Sequence, residues 1–308
     1  MSTKIKDYRT QFIQELSSIY DVGEAESFFY LILEEKQKLK RIDLALNPDL
    51  TFSNEEIEYW NSILEQLKKE IPIQYLLCKT SFYGLDFEVN SNVLIPRPET
   101  EELVDWIIQS QKLSFDSAQD NSTKLKIVDI GTGSGCIAIS LAKNILNAQV
   151  FAIDVSEKAL ATAQNNALMN QVEVHFIKTD ILNTNDLGKL PTSHRRPEPV
   201  EGSLPTYFDI IVSNPPYVRV LEKQEIKKNV LDNEPLLALF VEDNDALIFY
   251  RKIAELAKKN LSPNGQLFFE INQYLGKEMI ELLENIGFKN VELRQDIYGN
   301  DRMIRGTR

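Results

Sequence analysis

Short apolar segments alternate with amphipathic ones over the second half of the chain. Seven segments rich in branched aliphatic and aromatic residues are predicted strands: residues 125–130, 150–153, 172–177, 208–213, 266–271, 291–294 and 303–305. The first five are mostly apolar, as is typical of strands covered on both faces. Amphipathic helices are expected between them, for example over residues 246–261. Strands that alternate with helices predict an α/β domain built on a parallel, doubly wound sheet.

The first 80 residues show helical periodicity instead. Apolar positions recur at helical spacing in two sets, which are Tyr8, Phe12, Leu16 and Ile19, then Ile57, Trp60, Leu64 and Leu67. Ser53 and Glu56 have the spacing of a capping box, which predicts a helix start just before the second set. A small α-helical domain is therefore expected at the N-terminus.

The pattern changes after Pro72. Residues 81–89, Ser-Phe-Tyr-Gly-Leu-Asp-Phe-Glu-Val, predict two short strands around a glycine-containing turn. Pro96 and Pro98 hold the next segment extended, ahead of a helix whose acidic first turn suits the helix dipole. The expected organisation is a helical domain over 1–80, a β-hairpin linker over 81–95 and the α/β domain over 96–308.

Two polar segments interrupt this alternation. They cover residues 115–122 and 191–205, and the second contains the pair Arg195-Arg196. Both are interpreted as loop insertions at the surface, where additional chain is best tolerated. A partner contact through the arginine pair is the less favoured interpretation.

Charge narrows the range of partners. The chain has 308 residues, with 34 Lys and Arg against 46 Asp and Glu, and a formal net charge of −12. Proteins that hold nucleic acid by bulk charge need a local excess of basic residues, so no direct nucleic-acid partner is expected. The content of 43% hydrophobic and 26% charged residues is that of a globular protein.

Cysteine and histidine are scarce. Cys78, Cys136, His175 and His194 are too few and too scattered to predict a disulfide framework or a metal site. The N-terminus lacks the apolar core of a signal peptide, and no apolar run approaches about 18 residues, so no membrane association is expected. A cytoplasmic protein in a reducing compartment is the resulting expectation.

A glycine-rich loop follows the first predicted strand of the α/β domain. Its sequence from Asp129 to Gly135 is Asp-Ile-Gly-Thr-Gly-Ser-Gly, in which glycines allow a sharp turn and a close approach to a ligand. A nicotinamide-binding loop would have a glycine at position 136, where this chain has Cys136. The form D-x-G-x-G-x-G instead resembles the first motif of class I S-adenosylmethionine-dependent methyltransferases. The candidate cofactor-binding residues in the loop are Gly131, Thr132, Gly133, Ser134 and Gly135.

Acidic residues follow the next two predicted strands. Asp154 comes after residues 150–153, where a carboxylate suits two ribose hydroxyls because it offers only acceptors. A helix N-terminal charge is the simpler interpretation of the same residue. Asp180 and Ile181 come after residues 172–177, at the position where this superfamily contacts the adenine. All three are therefore candidate cofactor-binding residues.

The strand predicted over residues 208–213 runs into Asn214-Pro215-Pro216-Tyr217. The two prolines end that strand rigidly, so carbonyl groups are expected to point into the crevice beyond the carboxyl ends of the strands. Asn214 adds a side-chain carbonyl and an amide donor, and Tyr217 adds a flat ring suited to a planar group.

This arrangement suits methylation of a planar –NH2 group, whose nitrogen is a poor nucleophile because its lone pair is delocalised. The Asn214 side chain and the Pro215 backbone can accept its two hydrogens, orient the nitrogen and stabilise developing positive charge. The candidate catalytic residues are Asn214, Pro215 and Tyr217, and the candidate substrate-binding residues are Asn214, Pro215, Pro216 and Tyr217. The same chemistry fits adenine N6 and a glutamine amide equally well.

Further short motifs are distributed over nearly the whole chain. They are Gln74-Tyr75, Phe82-Tyr83-Gly84, the segment L-I-P-R-P-E-T-E over 94–101, Glu234-Pro235 and Asp301-Arg302-Met303-Ile304. Together with N-P-P-Y, they resemble the release factor glutamine methyltransferases (PrmC/HemK). N-P-P-Y alone is shared with amino-methyltransferases of DNA and RNA, whereas its combination with I-P-R-P-E-T-E is specific.

The resemblance implies a Rossmann-like, seven-stranded methyltransferase sheet over 96–308 whose last strand is antiparallel. It also implies that the helical domain over 1–80 is a substrate-recognition domain. It implies methyl transfer from S-adenosylmethionine, with S-adenosylhomocysteine as product, to N5 of the glutamine in the Gly-Gly-Gln tripeptide of peptide chain release factors. It also includes Asn214 among the cofactor-binding residues. Two positions depart from the family pattern, since Cys78 and Asn272 stand where glycine is usual.

Three alternatives stay open on the sequence. A glutamine methyltransferase of a ribosomal protein would keep every motif. An adenine-N6 methyltransferase, acting after base flipping, should carry a basic face, which the net charge disfavours. A non-catalytic cofactor-binding protein is disfavoured by the intact glycine loop and by Asn214.

Overall fold

The computed structural model describes residues 3–115, 124–190 and 207–308. The predicted insertion at 191–205 lies outside the described residues, as does nearly all of that at 115–122. The chain forms two compact units, Met1–Lys79 with Lys227–Asn233, and Thr80–Ile226 with Glu234–Arg308. A role for the first unit in substrate recognition stays a prediction.

The helices and strands have the following bounds. The helices are α1 (Ile5–Leu16), α2 (Val22–Gln37), α3 (Arg41–Leu46), α4 (Asn54–Leu67), α5 (Ile73–Leu77), α6 (Pro98–Phe115), α7 (Cys136–Asn144), α8 (Glu157–Met169), α9 (Lys228–Asn233), α10 (Ile248–Asn260) and α11 (Gly276–Ile286). The strands are β1 (Thr3–Lys4), β2 (Thr51–Phe52), β3 (Lys79–Phe82), β4 (Leu85–Glu88), β5 (Leu125–Ile130), β6 (Ala148–Asp154), β7 (Val174–Lys178), β8 (Phe208–Ser213), β9 (Val218–Arg219), β10 (Phe240–Val241), β11 (Leu261–Glu270), β12 (Lys289–Gln295) and β13 (Asp301–Thr307).

The first unit is built around aromatic side chains. Trp60 on α4 is fully buried, with its ring 4.7 Å from that of Phe29 on α2. Ser53 and Glu56 form the predicted capping box, each accepting a hydrogen bond from the other's backbone N–H. One detail of the predicted periodicity was wrong, because α1 ends at Leu16 and Ile19 lies beyond it, 40% exposed.

The sheet of the second unit has seven strands within the described residues, in the order β12-β13-β11-β8-β5-β6-β7. Strand β13 is antiparallel to both of its neighbours, and the other pairs are parallel. This confirms the predicted α/β sheet with an antiparallel last strand. Both faces are covered, since Val128 and Ile130 pack in one cluster with residues of α10 and α11, whereas Ile127 packs in another with residues of α6 and α7.

The start of β11 differs from the prediction. The strand begins at Leu261, which pairs with Phe208, and the register then shifts before Gln266 pairs with Ile210. The apolar pattern starts only at 266 because the intervening Ser-Pro-Asn-Gly residues form the irregular part of the strand. The core pairing and the carboxyl end of β11 are unaffected by this irregularity.

Strand order fixes where a ligand can bind. Strands β5 and β8 are neighbours, yet the chain passes from β5 through β6 and β7 on one side before it returns at β8. Open α/β sheets bind ligands at the carboxyl edge of such a switch point. The glycine loop follows β5 and N-P-P-Y follows β8, so both motifs lie at this edge.

Candidate active site

The glycine loop adopts a backbone that explains its composition. Gly131, Gly133 and Gly135 have φ values of +78°, +55° and +83°, a region that other residues enter only with strain. The N–H groups of Gly131 and Thr132 donate to the carbonyl of Ile153 at 2.8 and 3.0 Å, which ties the loop to β6. The loop is therefore rigid on the side that faces the sheet.

The surroundings of two loop glycines differ. A β-carbon at Gly135 would lie 2.9 Å from Ile139 Cδ1 and 3.1 Å from Ala163 Cβ, so this glycine allows α7 and α8 to pack closely. A β-carbon at Gly133 would have no atom within 4 Å. The space beside Gly133 is therefore open to a ligand, whereas Gly135 serves packing.

The side chains of the loop point inward. Thr132 and Ser134 are almost fully buried, so their contribution to a ligand site would come from the backbone. The Thr132 hydroxyl donates to Asp129 Oδ2 at 2.6 Å, and burial raises the pKa of Asp129 to about 7. Asp129 thus anchors the loop from below and does not face the crevice.

Asp154 is the last residue of β6 and joins that strand to the loop. Its Oδ2 accepts from the Gly133 N–H at 2.9 Å, and its Oδ1 accepts from the Ser156 N–H at 2.8 Å. Burial raises the pKa of Asp154 above its ordinary value, opposed by these backbone hydrogen bonds. A carboxylate has about four acceptor sites, so it retains capacity for hydroxyl donors.

Asp180 and Ile181 follow β7 at the same edge. The Asp180 carboxylate accepts from the Leu182 N–H at 2.9 Å and from Asn183 Nδ2 at 2.7 Å, which caps a short turn. Ile181 is 8% exposed and packs in the cluster beneath that turn. Their predicted contact with adenine stays a prediction, with little of the Ile181 surface left for it.

N-P-P-Y directly adjoins the glycine loop. Ser213 Oγ donates to the Ile130 carbonyl at 2.6 Å, and a β-carbon at Gly131 would lie 4.0 Å from the Asn214 carbonyl. Asn214 Nδ2 donates to Thr100 Oγ1 at 3.3 Å. Within the described chain, neither Asn214 Oδ1 nor the next carbonyl, that of Pro215, accepts a hydrogen bond, so these two consecutive residues each retain an unoccupied acceptor.

Tyr217 is held from both ends. Its hydroxyl donates to Glu270 Oε1 at 3.0 Å, and its carbonyl accepts from Asn272 Nδ2 at 3.0 Å. Burial, together with the Glu270 carboxylate, raises the pKa of Tyr217 far above its ordinary value. The phenol therefore keeps its proton and does not serve as a base, and only its ring is left for the predicted contact with a planar group.

The sequence had given no role to three residues that support N-P-P-Y. Glu270 is 1% exposed and accepts from Thr100 Oγ1 at 2.6 Å as well as from Tyr217. Asn272, which departs from the family pattern, also donates to Glu222 at 2.8 Å. An acid at the carboxyl end of β11, next to β8, is a signal that the sequence does carry for Glu270. Thr100 belongs to the segment L-I-P-R-P-E-T-E, but nothing in the sequence indicates its role, because its partners lie more than 110 residues away.

Two other motif segments are joined by one buried acid. Glu234, almost fully buried, accepts from the Ile95 N–H at 3.1 Å and from Arg97 at 2.6 Å. The segment I-P-R-P is thereby fixed to the chain that follows N-P-P-Y. This contact explains why arginine and glutamate occur in those two motifs.

The described residues contain neither a metal-binding cluster nor a membrane-spanning helix. Among the described residues, no group of three or more His, Cys, Asp or Glu could hold a metal ion. No helix within the described ranges has the length and apolar character needed to cross a membrane.

Known proteins resemble this chain over nearly its whole length. A methyltransferase-domain model matches residues 121–298, and a PrmC N-terminal domain model matches residues 7–77. The release factor glutamine methyltransferase of Flavobacterium psychrophilum is 62% identical over 98% of both chains, and that of Bacteroides thetaiotaomicron is 41% identical over 96% of this chain and 97% of its own. Among solved structures, the hMettl16 catalytic domain in complex with MAT2A 3'UTR hairpin 6 shares the fold, with 15% identity, a TM-score of 0.50 and coverage of 73% of this chain and 76% of that one. The chain belongs to the release factor glutamine methyltransferase family.

Proposed function

We propose that this protein transfers a methyl group from S-adenosylmethionine to N5 of a glutamine side chain, in the Gly-Gly-Gln tripeptide of peptide chain release factors. The observation that carries the proposal is the pair of available acceptors, Asn214 Oδ1 and the Pro215 carbonyl, beside the glycine loop. Family membership supports the choice of release factors as substrate.

The residues around the loop fit S-adenosylmethionine. The open space beside Gly133 admits a ligand close to the backbone, and the Asp154 carboxylate offers acceptors for ribose hydroxyls. Gly131 and Asn214 adjoin at the switch point, so a ligand on the loop would lie next to N-P-P-Y. When bound, the cofactor supplies an electrophilic methyl group attached to a positively charged sulfur.

The acceptors address the weakness of an amide as a nucleophile. Asn214 Oδ1 and the Pro215 carbonyl would each accept one hydrogen of the substrate –NH2, which fixes the plane of the amide and directs its nitrogen toward the methyl donor. Both carbonyl dipoles also stabilise the positive charge that grows on nitrogen. The two carbonyl groups stabilise this charge best if their directions are fixed before the substrate binds. The rigid Pro215-Pro216 turn fixes the backbone at this point.

The surplus proton on nitrogen would leave to solvent after methylation. Tyr217 keeps its own proton, and both oxygens of Glu270 already accept hydrogen bonds in a buried position. Neither group is therefore suited to act as the base. Because an N-methylated amide is very acidic while it carries the additional proton, no strong base is required.

The experiment offers three substrates in parallel. The purified chain is incubated with methyl-labelled S-adenosylmethionine and a release factor, a ribosomal protein fraction or DNA. We expect label on the release factor alone. Label confined to ribosomal protein or to DNA would overturn the proposed substrate and favour one of the other methyltransferase classes.

A further inference from the structure

Beneath Asn214 lies a chain of hydrogen-bonded side chains that bind neither substrate nor cofactor in the proposed reaction. Asn214 Nδ2 donates to Thr100 Oγ1 at 3.3 Å, and Thr100 Oγ1 donates to Glu270 Oε2 at 2.6 Å. Thr100 and Glu270 are 2% and 1% exposed. Water therefore has little access to these side chains and cannot readily replace either hydrogen-bond partner.

The polarity of this chain is determined by Glu270. Burial raises the pKa of Glu270, while hydrogen bonds from Thr100 and Tyr217 and the charge of Arg302 act in the opposite direction and favour the carboxylate. The carboxylate only accepts, so the single hydroxyl proton of Thr100 goes to Glu270. Thr100 Oγ1 can then only accept from Asn214, and the atom of Asn214 that faces it must be the amide nitrogen. Asn214 Oδ1 is consequently turned away from Thr100 and left available.

The Glu270 carboxylate is itself fixed. Its second oxygen accepts from the Tyr217 hydroxyl at 3.0 Å, and the Tyr250 hydroxyl donates to its backbone carbonyl at 3.1 Å. Both carboxylate oxygens are thus occupied by donors from different elements. The donor direction at Thr100 has no alternative while this carboxylate is charged.

We propose that Thr100 and Glu270 are positioning residues for methyl transfer, which act by presenting Asn214 Oδ1, and not its amide nitrogen, to the substrate. The inference rests on the proposed function, in which Asn214 Oδ1 accepts a hydrogen of the substrate amide. A reversed Asn214 would set its own –NH2 against the substrate –NH2. Two donors would then face each other, and the substrate nitrogen would lose its orientation.

The first test removes the hydroxyl. Thr100→Val keeps the side-chain shape and leaves Asn214 free to rotate, so we expect kcat with a release factor to fall about tenfold to a hundredfold. The dissociation constant for S-adenosylmethionine, measured by calorimetry, should stay at the wild-type value, and Thr100→Ser should restore kcat. Thr162→Val removes a buried hydroxyl from α8 and serves as the matched control for lost stability.

A second variant removes the acceptor. Glu270→Leu offers no acceptor to Thr100, so the Thr100 hydroxyl is free to donate to Asn214 Oδ1 instead. We expect a loss of kcat similar to that of Thr100→Val, and the double variant should lose no more than the worse single one, since both act through the same amide. Wild-type kcat in either single variant would overturn the inference, as would multiplicative losses in the double variant.

Failure of the positioning inference can be distinguished from failure of the proposed function. If the wild-type chain methylates no release factor, the proposed function fails. The positioning inference is then decided by neutron crystal structures of the wild type and of Glu270→Leu, which locate the amide deuterons of Asn214. Glu270→Leu also serves if Thr100→Val does not fold. An Asn214 side chain that keeps its hydrogen-bonding direction in Glu270→Leu would overturn the inference, and a reversed or disordered amide would support it.

Discussion

At the scale of single residues, the site depends on the two ends of one amide. The nitrogen of Asn214 is engaged by Thr100, while its oxygen has no donor among the described residues. Asp154 shows a related division, because its oxygens bind the backbone of Gly133 and Ser156 and still have acceptor capacity. In both residues, hydrogen bonds within the protein fix the side chain, and oxygen acceptor sites remain available to a ligand.

Asn214→Ala should abolish methylation, because the substrate amide loses one of its two acceptors and its orientation. Cofactor binding should be largely kept, since the loop and Asp154 are untouched. Label incorporation and calorimetry with S-adenosylmethionine measure the two effects separately. Asn165→Ala, at an exposed asparagine on α8, is the control, and full activity in Asn214→Ala would refute the role given to this residue.

Asp154→Ala should raise the dissociation constant for S-adenosylmethionine by at least about tenfold, because a hydrogen bond to a charged group contributes about 1.5–3 kcal/mol. The Gly133 N–H would also lose its acceptor, which loosens the loop. Calorimetry provides the measurement, with Asp49→Ala at a highly exposed position as the control. An unchanged dissociation constant would show that Asp154 does not contact the cofactor.

At the scale of elements, the carboxyl edge of the sheet brings together segments that are distant in sequence. The loop after β5 and the turn after β8 meet because these strands are neighbours. The end of β11 then holds that turn from below through Glu270 and Asn272. Strand order therefore builds the site, and the rigidity of each loop preserves it.

Two loop glycines should respond differently to a β-carbon. Gly133→Ala should cost about 1–2 kcal/mol of folding free energy from the left-handed backbone alone, and should mainly reduce cofactor affinity. Gly135→Ala should cost about 1–3 kcal/mol more than that, because its β-carbon would overlap Ile139 and Ala163. Urea unfolding without cofactor gives the comparison. Equal losses of stability in the two variants would contradict this division of roles.

The sequence predicted the strands and helices better than it predicted their boundaries and tertiary placement. Apolar segments buried on both faces identified the strands, because burial imposes a pattern on every residue. The start of β11 was missed because an irregular stretch of turn residues lies inside the strand. The placement of 227–233 with the first unit carries no local pattern, since it depends on tertiary contact.

The candidate site shows the same limit. Motif residues such as Gly131 and Asn214 could be selected because their chemistry is visible in the sequence. Thr100 also lies in a motif segment, but its role could not be predicted, because a threonine in the first turn of a helix is ordinary until its partners from two other elements are known.

At the scale of the whole molecule, the net charge bears on one question, which is whether the substrate is a nucleic acid or a protein. The net charge of −12 disfavours nucleic acid, and beside N-P-P-Y, whose chemistry fits adenine and glutamine alike, it helps to select a protein substrate. Some of the acids are also buried. Burial raises the pKa of Asp129 and of Glu270, so these groups influence how stability depends on pH.

Asp129 should make stability fall as pH rises through a defined window. Its pKa is about 7 in the folded protein and 3.8 ordinarily, so between about pH 4 and 7 the folded chain holds a proton that the unfolded chain has lost. Raising the pH through this window therefore favours unfolding, and above about pH 7 the whole of this stability loss persists. Asp129→Asn lacks this titration, so its free energy of unfolding relative to the wild type should rise from pH 4 to pH 8. Asp7→Asn, exposed on α1, is the control, and parallel curves for Asp129→Asn and the wild type would contradict the buried, protonated state.

The measurement that tests the central claim most directly is mass spectrometry of a release factor after incubation with this protein and S-adenosylmethionine. Peptides that contain the Gly-Gly-Gln tripeptide are fragmented to locate the added mass. We predict one methyl group on the side-chain nitrogen of that glutamine with the wild-type chain, and none with Asn214→Ala. A methyl group on another residue, or an unmodified glutamine after prolonged incubation with active enzyme, would contradict it.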